Sequence, residues 1–279
     1  DFRDPWSLIQ RLPEAVASRA WLAVAERHER VAVKAASLVV TNTAQLRAAM
    51  QARYPGARRR VITITNGCDD EPLPRASRQE RFVLGYAGSI YLDRDPRPLF
   101  RAIALVVKRL NLTPEQFGIE MMGDVERFDG VPLRDMAAEA GVSAFVTLHA
   151  PRPRAQALAF LGQAAMLLVL PQDSHLAIPA KLFDYMRHDA WILAITEAAS
   201  ATGQLLRGTD ADVVAPDDVD GLAGAIERRL CQHRAGARGV ALSANQAFTR
   251  RTQADRLFNA IEVVAGAPRR ETAELCAAS

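Results

Sequence analysis

Apolar positions in this chain alternate between short continuous runs and helical spacing. Leu38-Val39-Val40 and Val61-Ile62-Thr63-Ile64 read as buried strands, with a helix over Ala44 to Arg53 that stops at Tyr54-Pro55-Gly56. Upstream, Val16, Ala20, Val24 and Val31 mark one face of a long helix. Asp69 to Glu80, with Pro72 and Pro74 among charges, has no period and reads as a linker. The alternation then restarts. Phe82 to Ala87 is a strand that turns at Gly88-Ser89, and Leu99, Ile103, Val106, Val107 and Leu110 share a helical face. Ile119 to Met122, followed by Gly123, is the next strand and turn. Further strands are expected at Phe145 to Leu148, Met166 to Leu170 and Trp191 to Ile195, with helices over 132–140, 154–162 and 180–188. A helix–strand–helix section over about 200–233 and a helix over 246–264 complete the reading.

Strands separated by helices imply right-handed crossovers and a mainly parallel sheet covered on both faces. The second set is long enough for a complete doubly wound domain, whereas the set before residue 70 supplies only two or three strands. The expected division is 1–70 for a partial unit, 71–81 for a linker, 82–240 for a complete α/β domain, 241–266 for a last helix and 267–279 for a tail. The chain opens on Asp1, which suggests a piece of a longer protein.

Composition narrows the function. The formal charge of +3 is small for a protein that coats nucleic acid. The longest apolar run, Ala164 to Leu170, is far short of the ~20 residues that span a bilayer, and no signal segment opens the chain. Cys68, Cys231 and Cys276 match no zinc or redox spacing, in keeping with a reduced, cytoplasmic protein. Cations are almost all arginine, which leaves Lys34, Lys108 and Lys181 as exceptions.

Parallel α/β sheets bind ligands where the carboxyl ends of strands meet helix N-termini. One candidate is the loop Gly88 to Pro96, in which Gly88 permits close backbone approach and Arg94 offers a charge-assisted contact. A second is Ile178 to Tyr185, where Pro179 suits a first helical turn and Lys181, Asp184 and Tyr185 share a face. A lysine near a helix start opposes the dipole unless an anion sits nearby, although a Lys181–Asp184 surface pair is the plain alternative. Asp210-x-Asp212 and Asp218-x-Asp220 read as turn or cap residues in preference to metal ligands. Arg58-Arg59-Arg60 and Arg269-Arg270 suit anionic lipid, or form an ordinary solvated surface.

Taken in order, these segments resemble glycosyltransferase family 4 (glycosyl transferases group 1), which has the GT-B fold. The matching pieces are Asp1 to Trp6, Leu38 to Thr43, Val61 to Asp69 with its Asn66-Gly67-Cys68-Asp69 close, Tyr86 to Pro96, and Pro179 to Tyr185. The resemblance implies two Rossmann-like domains facing a cleft. The C-terminal one, complete here, would bind the nucleotide sugar, and most of the N-terminal acceptor domain would precede Asp1. It further implies that Ala247 to Val264 crosses back to that domain.

By the same resemblance, Gly88 and Ser89 approach the donor diphosphate through the backbone, while Arg94 and Lys181 face the phosphates. Asp184 takes the second acidic position of the family's paired-acid motif, whose usual glutamate receives the ribose hydroxyls. The first acid, which contacts the transferred sugar, is replaced by Leu176, with Ser174 and His175 as neighbouring substitutes. No catalytic residue is therefore assigned. The implied activity is retaining transfer from a UDP- or GDP-sugar to a glycan or lipid-linked acceptor, without cofactor or metal, in polysaccharide or cell-envelope synthesis. The setting expected for it is cytoplasmic, with peripheral association at the inner face of the membrane. The alternatives are a nucleotide-sugar epimerase of the same fold and a non-catalytic nucleotide-binding fragment. Leu176 and the missing half favour weak nucleoside diphosphate binding without turnover for this chain alone.

Overall fold

A computed structural model describes residues 1–3, 6–8, 18–74, 80–91, 94–170, 175–242 and 246–266 of the 279. The first part of the chain builds α1 (Arg19–Ala35), β1 (Val39–Thr41), α2 (Ala44–Arg53), a 3-10 segment (Pro55–Arg60) and β2 (Val61–Thr63). Ser18 and Thr43 cap the two helices through their hydroxyls. β1 and β2 pair in parallel, and Phe2 adds a parallel bridge at Thr41. Val33, Val39, Leu46, Met50, Ala57 and Val61 form the small core of this unit.

Here α1 departs from expectation. Ala20, Val24 and Val31 do share a face, but it points to solvent, with Val24 48% and Val31 60% exposed. The packed face is Ala25, Glu29 and Val33. Glu29 is tolerated inside because Tyr54 Oη donates to it at 2.7 Å and the Ser7 amide at 3.0 Å, so hydrogen bonds replace its hydration. Val16 lies outside the described residues.

The second part runs β3 (Phe82–Ala87), α3 (Arg97–Leu110), β4 (Phe117–Met122), β5 (Arg127–Phe128), β6 (Val131–Pro132), α4 (Leu133–Glu139), β7 (Val146–His149), α5 (Arg154–Leu161), β8 (Met166–Val169), α6 (Ala180–Tyr185), β9 (Trp191–Ile195), α7 (Ala201–Leu206), β10 (Asp212–Val214) and α8 (Val219–Arg234). Six strands form one parallel sheet in the order β10-β9-β8-β3-β4-β7. Counted along the chain this is the doubly wound order 3-2-1-4-5-6. Residues of α3, α4 and α8 pack with Phe82, Leu84, Ile119 and Leu193 on one face. Those of α5, α6 and α7 pack with Val83, Leu167 and Ile192 on the other. The small antiparallel hairpin β5–β6, closed by Asp129-Gly130, was not anticipated.

A last helix, α9 (Arg250–Ala265), begins beside the segment that follows β2. Cys68 donates its amide to Phe248 O and accepts from Arg250 N, which closes a parallel bridge between Cys68 and Thr249. The start of α9 thus returns to the first unit. The expected tail and the Arg269-Arg270 pair lie outside the described residues.

Candidate functional site

In the order 3-2-1-4-5-6 the winding reverses between the first and fourth strands, which here are β3 and β8. Loops leaving their carboxyl ends diverge and open a crevice there. The loop after β3 carries Gly88, Ser89 and Arg94, and the segment after β8 leads into α6 with Lys181 and Asp184. All five of these residues, predicted from sequence, lie at this crevice or brace it.

Gly88 holds φ +137°, and a side chain there would collide with the Lys181 ammonium. On the neighbouring strand end Gly123, at φ +129°, rests against the Gly88 backbone, so two strand ends form a tight floor. Gly88 N–H donates to Met122 O at 2.8 Å, which commits it to the sheet. The expectation that both Gly88 and Ser89 amides face a phosphate is thereby corrected for Gly88.

The cations are arranged by aromatic side chains. Tyr86 is fully buried and donates to Ser89 O at 2.7 Å. Lys181 lies over its ring, 4.1 Å from the centroid, and donates to its hydroxyl at 3.0 Å. Arg94 donates to the same Ser89 carbonyl at 2.8 Å and sits 4.0 Å over the Tyr91 ring. Burial, then the Arg94 charge, lowers the Lys181 pKa to about 7, while burial raises Tyr86 to about 12. Tyr185 fixes α6 to the end of β3, since its hydroxyl accepts from Ala87 N at 2.8 Å and donates to Ala87 O at 3.1 Å.

Lys181 and Asp184 do not form the surface pair that their spacing allowed. Arg154, the first residue of α5, holds Asp184 in a two-pronged contact at 2.8 and 2.9 Å. Arg154 also reaches Asp69 at 3.0 Å, and Asp69 reaches Arg250 at 2.9 Å. This chain of charges ties α6 and α5 to the segment after β2 and to α9. Sequence reasoning missed Arg154, although the argument that singles out Lys181 applies to it equally: both are cations in a first helical turn. The resulting cleft, of about 360 Å³, is lined by Gly88, Ser89, Gly123, Arg154, Lys181 and Asp184 among others.

Leu176 turns away from this chemistry. Its side chain packs against the small core of the first unit, and its carbonyl accepts from the Thr43 hydroxyl at 2.6 Å. His175 is exposed and its carbonyl accepts from Ala201 N, whereas Ser174 lies outside the described residues. The four aspartates weighed as metal ligands have protein partners. Asp212 and Arg229 form a buried pair that the exposed Asp210 also joins, Asp218 caps α8 and Asp220 pairs with Arg109. Among the described residues no cluster of His, Cys, Asp and Glu could hold a metal ion.

No family model and no curated protein matches this sequence. Solved structures do match, at the level of fold. A glycosyltransferase involved in lipopolysaccharide biosynthesis, WaaG, is similar over 92% of this chain and 70% of its own, with TM-score 0.64 and 14% identity. Anabaena HepE in complex with UDP-glucose matches over 93% of this chain and 71% of its own, at TM-score 0.62 and 17% identity. The pneumococcal O-GlcNAc transferase GtfA, in complex with UDP and GlcNAc, matches over 82% of this chain, at TM-score 0.60 and 14% identity. This chain spans only 45% of GtfA. The fold is that of GT-B glycosyltransferases.

Proposed function

We propose that the cleft binds the diphosphate of a nucleotide sugar, and that the whole protein is a retaining glycosyltransferase of the kind grouped in family 4. The observation that carries this reading is the convergence of Lys181 and Arg94 on the Gly88-Ser89 strand end at the sheet's switch point. Two cations beside an exposed strand end, one of them held partly desolvated, form a receptor for phosphate oxygens. Asp184, across the cleft, receives the ribose hydroxyls on the lone pairs that Arg154 leaves open. In transfer, Lys181, Arg94 and the Ser89 amide stabilise the charge that builds on the departing nucleoside diphosphate. The similarity to proteins solved with UDP or UDP-glucose favours a uridine donor. Similarity to a lipopolysaccharide glycosyltransferase favours a cell-envelope glycan or lipid-linked acceptor.

A second reading is favoured by one observation. Leu176 supplies no acid at the position that would face the transferred sugar, and it is engaged with the first unit. On this reading the chain binds nucleotide and transfers nothing. Calorimetry with UDP and GDP tests the site: binding that is lost in both Lys181→Met and Asp184→Asn supports it, and binding unchanged in both removes it. Radiolabelled sugar incorporation into glycan acceptors then separates transfer from binding alone.

A further inference from the structure

A second surface carries a different chemistry. At about 100° per residue, α1 reads in strips around its axis. Beyond the packed strip of Ala25, Glu29 and Val33 comes Glu26, which pairs with Arg53 of α2 at 3.2 Å. Next lies a strip of Arg30, Lys34 and Arg27, all exposed. After it comes a strip of Ala20, Val31, Val24 and Trp21, with Trp21 58% exposed and the exposed His28 set between Val24 and Trp21. Both acids of α1 are thus turned toward the protein and engaged, and its outward surface is basic, then apolar.

The basic strip continues onto the neighbouring 3-10 segment. Arg60 reaches across to donate to the carbonyls of Lys34 and Ala36 at the end of α1, which places the 3-10 arginines beside it. Arg58 and Arg59 are exposed there and, with Arg47, border a shallow depression of about 760 Å³ whose lining contains no acid. The whole chain has a formal charge of +3, so this concentration stands above its background. By contrast, α9 also exposes Phe258 and Ile261, but the exposed Asp255 lies on the same helix, and charge there selects no partner.

We propose that the outward face of α1, together with the 3-10 arginines, is a docking surface for an anionic lipid bilayer. An exposed apolar stripe containing a tryptophan, bordered by cations, is the form taken by helices that lie in a membrane interface. The cations meet lipid phosphates while Trp21, Val24 and Val31 enter the headgroup boundary. No helix among the described residues is long and apolar enough to cross a membrane, and the proposed contact runs along a helix face. This proposal needs neither nucleotide nor turnover, so it stands or falls apart from the donor-site reading.

The test is co-sedimentation of the 279-residue chain with vesicles of phosphatidylcholine alone and with vesicles that also contain phosphatidylglycerol. Binding is expected only to the anionic vesicles, and it should weaken as salt rises. Each surface cation contributes roughly fivefold to such binding, so Arg58→Ala with Arg59→Ala should weaken it roughly 30-fold. Trp21→Ser with Val24→Ser should also weaken it, with the circular dichroism spectrum unchanged because both side chains are exposed. Quenching of fluorescence by brominated lipid should disappear in Trp21→Phe made on a Trp6→Phe background, since the third tryptophan, Trp191, is buried. Equal binding to neutral vesicles, no binding to either, or anionic binding that survives both double substitutions overturns the proposal. So does concentration-dependent dimerisation, abolished by Trp21→Ser, in a chain that ignores vesicles: that result assigns the face to a second copy.

Discussion

The starts of α5 and α6 present the same sequence feature, a cation in the first turn of a helix that a proline precedes, yet they resolve it in opposite ways. Arg154 meets carboxylates: Asp184 takes both prongs of its guanidinium and Asp69 takes a third contact. Lys181 meets an aromatic ring and a phenol, with a second cation, Arg94, acting on it across the loop. One charge is neutralised within the fold, while the other is desolvated and pushed toward its neutral form. An ion pair braces the site, and a cation held at a cost leaves room for an anion to repay that cost on binding.

The largest expected effect comes from removing the unbalanced member. Lys181→Met should weaken UDP binding by roughly 100-fold, as expected for loss of a desolvated charge-assisted contact. The same substitution should leave the melting temperature of the ligand-free chain equal or higher, because a buried cation without a carboxylate stabilises little. Calorimetry and thermal melts read the two halves together. A loss of both affinity and stability would make Lys181 structural and erase the contrast with Arg154.

Titration sharpens the same point. The Lys181 pKa is lowered to about 7 in the folded chain, whereas an unfolded lysine titrates near 10.4. Between these values the unfolded chain binds more protons, so Lys181 makes the ligand-free fold more stable as pH rises from about 7 to 10. Diphosphate affinity should move the other way, falling up to about tenfold per pH unit across that window as the ammonium deprotonates. Lys181→Met should abolish this component of both slopes. UDP calorimetry across the window, in wild type and variant, checks the sign.

Much of the scaffold was legible because its signals are local. The runs Phe82–Ala87 and Trp191–Ile195 and the helix Ala44–Arg53 fall where periodicity and stop residues put them. β4 starts earlier than read, at Phe117, because Gly118 interrupts the apolar run while its backbone still pairs with Val83. For α1 the helix was legible and its buried face was not, because hydrogen bonds from Ser7 and Tyr54 place Glu29 inward in place of a valine. At the site, residue types pointed to Gly88, Arg94 and Lys181. The stacking of Lys181 on Tyr86 and the grip of Arg154 on Asp184 join positions remote in sequence, and no local pattern encodes them.

Gly88→Ala breaks the comparison from the lysine side alone. The backbone there has φ +137°, and the added carbon would displace the Lys181 ammonium from Tyr86. Strain at such a position costs about 1–3 kcal/mol, so thermal stability should fall while the Arg154–Asp184 pair is untouched. UDP affinity should fall as well, which separates Gly88→Ala from Lys181→Met by its melt. Asp184→Asn acts on the other side. It leaves Arg154 with Asp69 as its remaining carboxylate and should cost about 1–2 kcal/mol of stability.

The smallest effect should come from Asp69→Asn, and it decides how the arginine side is held. Asp69 is 31% exposed along its side chain and Arg154 48%, whereas Asp184 is only 14% exposed. Water screens the Asp69 contact more strongly, so its loss should cost about 0.5–1 kcal/mol and shrink further in high salt. Arg250 shares Asp69, so a double cycle of Asp69→Asn with Arg250→Ala reports whether α9 is fastened through this carboxylate. If Asp69→Asn costs as much as Asp184→Asn, the arginine is anchored as firmly at the segment after β2 as at α6. The contrast between the two helix starts would then lie in which part of the molecule each cation serves, with Lys181 left to the ligand and Arg154 to the joint between the two sheets.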